Sequence, residues 1–220
     1  MQKYLLSGFL LMMALATFPA TWASSVEWKF EVSLDDKTVG FHNFSLAETD
    51  GVQQITSTAE FQVRVLFVPV FTYTHENVER WQTTCLSDID ARTRVNRKRY
   101  RVEGQRRADQ FFLGEDRQQT LPSCIRTFAY WNPELLTSTD RLLNAQTGKL
   151  EAVTVRPLGE DELLLNGETV AVSRLRLELE SGHIDLTYTR DDQVWVGLET
   201  RMPGGQTLRY TPKEIPLSRT

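Results

Sequence analysis

The chain has 220 residues, of which 40% are hydrophobic, and this is long enough for one domain with a sizeable core. Its formal net charge is −4 at pH 7, with 25 basic and 29 acidic side chains. This mildly acidic balance argues against a general nucleic-acid-binding protein, because such proteins need a basic surface.

Residues 1–23 have the pattern of a cleavable signal peptide. Lys3 supplies the positive charge, an apolar stretch follows, and small residues precede a cleavage point before Ser24. The alternative is a retained membrane anchor, but the apolar stretch of about 15 residues is shorter than the ~20 that a spanning helix needs. We therefore expect a mature domain at 24–220 without a stable transmembrane anchor. Its expected location is the periplasm, with the cell exterior less favoured.

Alternation of apolar and polar residues with a period of two dominates the remaining sequence and predicts β-strands. In residues 28–34 the apolar side chains occupy every second position and would share one face. The phase slips near His42 and Asn43, which indicates a β-bulge. The almost wholly apolar run at 66–71 contains Pro69. Such a run must be buried on both faces, contact a ligand or bend at a corner, because proline cannot donate to a strand ladder.

Two cysteines, Cys85 and Cys124, follow the cleavage point. In the oxidising compartment that a signal peptide indicates, an even number of cysteines favours a disulfide. The alternatives are two buried free thiols or a redox pair, although redox pairs are usually close in sequence. We predict a structural disulfide.

A basic hairpin is predicted in the region that follows Cys85. Arg92 and Arg94 on one strand would share a face with Arg99 and Arg101 on the next. Such a positive face suits an anionic head group or an acidic partner. The alternative is a solvated outer surface whose charge is balanced by acids elsewhere.

Residues 127–148 interrupt the strand rhythm and are predicted to form a loop with one or two short helical turns after Pro133, a favourable first helical residue. Aromatic side chains cluster at the start of this insertion. They either line an apolar pocket or cap the open end of the core without any ligand. The candidate ligand-binding residues are Phe128, Tyr130, Trp131, Trp28 and Phe30.

Turn signals at short intervals divide the sequence into hairpins. The strongest is Asn166-Gly167, a pair that favours the two-residue turn of a β-hairpin. Other turns are predicted at 35–37, 49–51, 96–98, 191–192 and 203–205. About a dozen strands with little helix predict an all-β protein with a minor α component, built as a single curled antiparallel sheet that forms a barrel or half-barrel.

The sequence carries no recognisable catalytic or metal-binding motif. Its histidines, His42, His75 and His183, lie far apart and lack the H-x-H or H-E-x-x-H spacing of metal sites. It has no G-x-S-x-G motif, and paired cysteines cannot act as nucleophiles. Acidic pairs fall in or beside predicted turns, where turn formation explains them. We therefore expect no metal and no cofactor, and an enzyme is the least favoured interpretation.

Five segments carry a family resemblance. They are WKFEVSLDDKTVGFHNF at 28–44, TFAYWNP at 127–133, LLNAQTGKL at 142–150, VWVGL at 194–198 and GGQTLRY at 204–210. Together they resemble a family of exported bacterial proteins known only as a domain of unknown function, over nearly the whole mature chain. The fold is also similar, more loosely, to periplasmic lipoprotein carriers that hold acyl chains in a half-barrel. Neither resemblance implies catalytic residues.

Two functional hypotheses follow from these observations. The first is a non-enzymatic periplasmic protein that binds an apolar or amphiphilic, lipid-like ligand on the inner face of the curled sheet. The second is a structural or partner-binding module of a cell-envelope assembly, which would use the basic hairpin or an exposed sheet edge.

Overall fold

The computed structural model describes residues 25–65, 68–114 and 119–216, and the expected signal peptide at 1–23 lies outside these ranges. None of the helices in these ranges has the length and apolar character needed to cross a membrane. The elements are β1 (Val26–Leu34), β2 (Lys37–Thr49), β3 (Val52–Val65), β4 (Val68–Gln82), β5 (Cys85–Val95), β6 (Lys98–Arg107), β7 (Gln110–Leu113), β8 (Gln119–Pro122), α1 (Pro133–Thr137), β9 (Arg141–Leu143), β10 (Leu150–Ala152), β11 (Thr154–Leu165), β12 (Glu168–Leu179), β13 (Gly182–Thr189), β14 (Trp195–Arg201) and β15 (Thr207–Glu214).

Thirteen of these strands form one antiparallel sheet in the order β11-β12-β13-β14-β15-β1-β2-β3-β4-β5-β6-β7-β8. Strands that are consecutive in sequence pair as hairpins, and the pairing of β1 with β15 joins the two halves in the middle of the sheet. β11 and β8 form the two edges and do not pair with each other, so the sheet curls without closing. The predicted all-β fold with a single curled antiparallel sheet is confirmed, in its open form.

The concave face of the sheet carries the core. The predicted alternation in β1 is confirmed, since Trp28, Phe30 and Val32 are all buried. Phe30 lies against Trp195 of β14, with ring centroids 4.3 Å apart, and this contact packs side chains of both halves together. The apolar period of two therefore gives each strand one face for the core and one for solvent.

The irregular segment between β8 and β11 fills the hollow of the curl. The predicted helical turn after Pro133 is confirmed as α1, and the side chain of Asn132 caps it by accepting a hydrogen bond of 3.0 Å from the backbone N–H of Glu134. Leu135 and Leu136 of α1 are fully buried. The β9–β10 hairpin in the same segment was not predicted, because strands of three residues are too short to show a period.

Two bulges shape the sheet beside this hollow. The predicted bulge near His42 and Asn43 is wrong in position, because the register passes from Val32 opposite Gly40 to Ser33 opposite Thr38 and so places it earlier, at Val39. At Gly40 a Cβ would lie 1.8 Å from the backbone oxygen of Glu60, so only glycine fits there.

The second bulge accommodates the predicted proline-containing run. The register passes from Val63 opposite Phe71 to Arg64 opposite Pro69, which leaves Val70 without an opposite residue. A bulge tolerates proline because the ladder is already interrupted there. The structure shows a bulge within this run, and residues 66 and 67 lie outside the described ranges.

The predicted disulfide between Cys85 and Cys124 is confirmed, with 4.8 Å between the two Cα atoms. It ties the start of β5 to the segment that follows β8. Beside it, the backbone N–H of Leu86 donates a 2.9 Å hydrogen bond to the carbonyl of Ile125, and Arg126 Nε donates to the carbonyl of Thr84 at 3.1 Å. The bridge and these hydrogen bonds hold the irregular segment against the sheet.

Replacing Cys85 and Cys124 together by serine should lower the free energy of unfolding by about 4 kcal/mol, because the bridge closes a loop of 39 residues in the unfolded chain. Urea denaturation followed by tryptophan fluorescence measures the change. A thiol reductant should bring the wild-type protein to the value of the variant and leave the variant unchanged. A wild-type midpoint that does not respond to complete reduction would contradict the prediction.

Candidate functional site

The concave face of the curled sheet holds a cleft with two arms. An apolar arm of about 540 Å³ adjoins a polar arm of about 410 Å³, and both volumes fall in the range of small-molecule sites. The arms adjoin, since they share six lining residues, which are His42, Tyr130, Gln146, Ile184, Thr200 and Met202. The cleft therefore changes from apolar to polar along its length.

The apolar arm lies between the two halves of the sheet. One wall comes from β3 and β4, where the ring of Phe61 stacks on Tyr73 with centroids 5.0 Å apart and planes 10° from parallel. Val63 and the bulged Val70 extend this wall toward the tip of the β3–β4 hairpin. Residues of the other half, including Leu198 and Leu208, line the opposite wall. This arm offers dispersion contacts to a flat or extended apolar group.

The floor of the polar arm is made by inward-facing polar residues on neighbouring strands. They are all buried: His42 on β2, Ser57 on β3, and His75, Asn77 and Glu79 on β4. His42 and His75 both lie opposite Ala59, and Ser57 lies opposite Asn77. On an inner face that is otherwise apolar, these residues form a polar band.

The two histidines of this band are held by hydroxyl groups. His42 Nδ1 lies 3.0 Å from the phenol oxygen of Tyr210, and His75 Nδ1 lies 2.8 Å from Thr93 Oγ1. Burial lowers the pKa of His75 to about 4 and the pKa of His42 well below its usual value, and the nearby His75 lowers the latter further. Both imidazoles are therefore neutral at pH 7. In the described ranges no group of three or more His, Cys, Asp or Glu side chains could hold a metal ion.

Glu79 links the polar band to the irregular segment. Its carboxylate accepts hydrogen bonds from Asn77 Nδ2 at 2.9 Å, Trp81 Nε1 at 3.0 Å and Thr127 Oγ1 at 2.9 Å. Burial raises the pKa of Glu79, and the three donors act against that rise because they stabilise the carboxylate. The bond from Thr127 holds the irregular segment against β4. Glu79 is therefore hydrogen-bonded both to residues of its own strand and to that segment.

The structure brings only some of the predicted ligand-binding residues to the cleft. Phe128 and Tyr130 line the polar arm, and Tyr130 also lines the apolar arm, where its backbone carbonyl accepts a 2.9 Å hydrogen bond from the Tyr188 hydroxyl. Trp28 and Phe30 are buried in the core and line neither arm.

Trp131 packs edge-on against Trp81, with centroids 6.0 Å apart, and also lines neither arm. Ligand contact by any of the five candidate residues stays a prediction.

Sequence reasoning missed the polar band. Its signal is present in β4, where residues 74–77 are all polar and so occupy both faces of the strand. The inward positions His75, Asn77 and Glu79 break the apolar period. Polar residues on the core face of a strand in a curled sheet indicate that this face lines a cavity.

The predicted geometry of the basic hairpin is present, since Arg92 lies opposite Arg101 and Arg94 lies opposite Arg99 on β5 and β6. This is the outer face of the sheet. Arg92 pairs with Asp90 at 3.3 Å, and Arg101 pairs with Glu103 and Asp90. The face therefore mixes both charges, and binding of anionic groups there stays a prediction.

Comparison with known proteins gives a family and a fold. The family model described as "Domain of unknown function (DUF6134)" matches residues 30–213, and the predicted resemblance to a family of unknown function is confirmed. The chain matches none of the curated proteins with which it was compared.

A solved structure shares the fold. It is the crystal structure of a "Beta-barrel-like Protein of Domain of Unknown Function DUF1849" from Brucella abortus, with a TM-score of 0.62 over 89% of this chain and 98% of that chain. The two sequences are 9% identical, so the likeness concerns the fold alone.

The buried histidines predict a loss of stability in acid. A histidine whose pKa is lowered by folding takes up protons more readily when unfolded, so its contribution is complete above pH 6.5 and is lost as the pH falls to about 4. For His75 this loss is about 3 kcal/mol. His42 and the phenols of Tyr73 and Tyr210 face the same region.

The His75→Gln variant, which keeps a partner for Thr93, should lose less stability between pH 7 and pH 4 than the wild-type protein in urea denaturation. The raised pKa of Glu79 acts in the opposite direction, with stability lost as the pH rises above about 4.5. The Glu79 effect is common to both proteins and cancels in their difference, which reports His75 together with its influence on the pKa of His42. His183→Gln, at the rim of the cleft, serves as the control and should follow the wild type. If the free energy of unfolding falls equally with pH in the wild-type protein and in His75→Gln, the acid-induced loss of stability does not come from His75.

Proposed function

We propose that this chain, which belongs to the family "Domain of unknown function (DUF6134)", binds a lipid-like amphiphile in the cleft of its curled sheet. The apolar chain of the ligand lies in the apolar arm and its head group lies in the polar arm. The proposed role is binding, in which the carboxylate of Glu79 and the imidazole of His75, each hydrogen-bonded to neighbouring side chains, form part of the cleft's lining.

The observation that carries this proposal is that the two arms adjoin and share His42 and Tyr130 among their lining residues. A purely apolar ligand would leave His42 Nε2 and Asn77 Oδ1 of the polar band unpaired. A purely polar ligand would leave the stacked wall of Phe61 and Tyr73 without contacts. A molecule with one apolar and one polar end matches both arms at once.

Export to the periplasm is part of the same proposal. The signal-peptide pattern at 1–23 and the disulfide between Cys85 and Cys124 support it together, because structural disulfides persist in oxidising compartments. The alternative role in an envelope assembly gains less support. At the edge strand β11 the exposed acids Glu160, Asp161 and Glu162 disfavour pairing with a further strand.

Protein purified from the periplasm without detergent should carry a small molecule in native mass spectrometry, and organic extraction should release an amphiphile. The same protein refolded from denaturant after delipidation should give the bare mass and regain the molecule from an envelope lipid extract. A bare mass in both preparations, with no uptake, would count against the proposal.

Filling the apolar arm should weaken the binding of N-phenyl-1-naphthylamine, a fluorescent apolar probe. Val63→Trp places an indole in the arm, so we expect at least about a tenfold loss of probe affinity, measured by fluorescence titration. Gln62→Trp is the matched control, because residue 62 is the neighbouring position of β3 and faces the outer side of the sheet. Equal affinity in the two variants would show that the probe binds elsewhere.

A further inference from the structure

Two polar atoms of the polar arm have no hydrogen-bond partner among the described residues. They are Nε2 of His42 and Oδ1 of Asn77, on side chains that are only 9% and 8% exposed. Both residues line the polar arm. Buried polar groups in folded proteins are nearly always paired, so the unpaired nitrogen and the unpaired oxygen call for partners from outside the described residues, and a ligand in the polar arm can supply them.

The positions of these atoms indicate how large the head group is. His42 lies on β2 and Asn77 on β4, with β3 between them, and Ser57 of β3 lies opposite Asn77. The two free atoms therefore belong to strands that are not neighbours, with about 4.8 Å between adjacent strands, and each needs a hydrogen-bond partner of its own. A head group with several hydroxyls can reach both and also meet the Ser57 hydroxyl.

The charges around the polar arm disfavour an ionised head group. Among the described residues lining this arm, Arg201 carries the one permanent positive charge, and it is an exposed side chain at the rim, where water screens it. The buried carboxylate of Glu79 lies on the floor, which repels an anion. A cation gains little from Glu79, because its oxygens already accept hydrogen bonds from Asn77, Trp81 and Thr127. Glu151, the other acid that lines this arm, accepts a 2.7 Å hydrogen bond from Asn144 Nδ2.

We infer that the amphiphile bound by this protein has an uncharged, polyhydroxylated head group of the glycerol-ester or sugar-ester class, recognised by His42, Ser57 and Asn77. Asn77 Oδ1 accepts a hydrogen bond from one ligand hydroxyl, and His42 Nε2 pairs with another. A hydroxyl both donates and accepts, so it satisfies the neutral imidazole in either tautomer. This inference rests on the proposed binding of an amphiphile and specifies its head group.

Three compounds with the same chain length test the head group. 1-Monolauroylglycerol, laurate and dodecylamine, each below its aggregation concentration at pH 7.5, compete with N-phenyl-1-naphthylamine for the purified protein. Monolauroylglycerol should displace the probe at a concentration at least about tenfold lower than either charged compound, which corresponds to one or two well-formed hydrogen bonds. Displacement by laurate or dodecylamine at an equal or lower concentration would overturn the inference.

Two variants test whether Asn77 recognises the head group. Asn77→Leu removes the acceptor with little change of volume and should shrink the preference for monolauroylglycerol to less than about threefold. Asn43→Leu makes the same substitution on the outer face of β2 and should keep the full preference. Thermal melts check that each variant is folded, and the comparison of the three compounds on the wild-type protein does not depend on them.

The outcomes separate this inference from the proposed function. If the probe and the lauryl compounds bind without preference, the amphiphile-binding function stands and the head-group inference fails. If neither the probe nor any lauryl compound binds, both fail. A full preference retained in Asn77→Leu would also overturn the assignment.

Discussion

The pairing of β1 with β15 is the interaction on which the rest of this architecture depends. Every other neighbouring pair in the described sheet is a hairpin of consecutive strands, so without this pairing the chain would form two separate meanders. The walls of the cleft come from β2–β4 on one side and β12–β15 on the other. Their approach depends on the central ladder, in which Val32 lies opposite Tyr210.

An open curled sheet leaves a hollow that its own side chains cannot fill, and the segment between β8 and β11 fills most of it. Leu135 and Leu143 pack against the core of one half, while Leu136 and Leu142 pack against the core of the other. The disulfide and the hydrogen bond from Thr127 to Glu79 fix this segment over β4 and β5. The cleft is the part of the hollow that the segment does not occupy.

Local features of the fold could be predicted from the sequence because they depend on neighbouring residues. The turn at Asn166-Gly167, the helix start at Pro133 and the strand faces of β1 are of this kind. The position of the first bulge could not, since it is set by the close approach of Gly40 to Glu60 on the next strand. An open sheet and a closed barrel have the same alternation, so the pattern left that choice undecided.

The candidate site was predictable only in part, for a related reason. Phe128 and Tyr130 are aromatic residues in an irregular segment, and they line the cleft. Trp28 and Phe30 are aromatic as well, but they lie in the core. His42, Ser57 and Asn77 each look like ordinary strand residues. They become a site through the register that places them on adjacent strands of one concave face.

The strand order also has a kinetic consequence. Hairpins join residues that are close in the chain, but the Lys29–Glu214 contact of the β1–β15 ladder spans 185 positions. Closing so long a loop costs more chain entropy than forming a hairpin, and folding rates fall as such contacts dominate. The two meanders can therefore form early and independently, and the cleft comes into existence only in the last step, when the first strand meets the last.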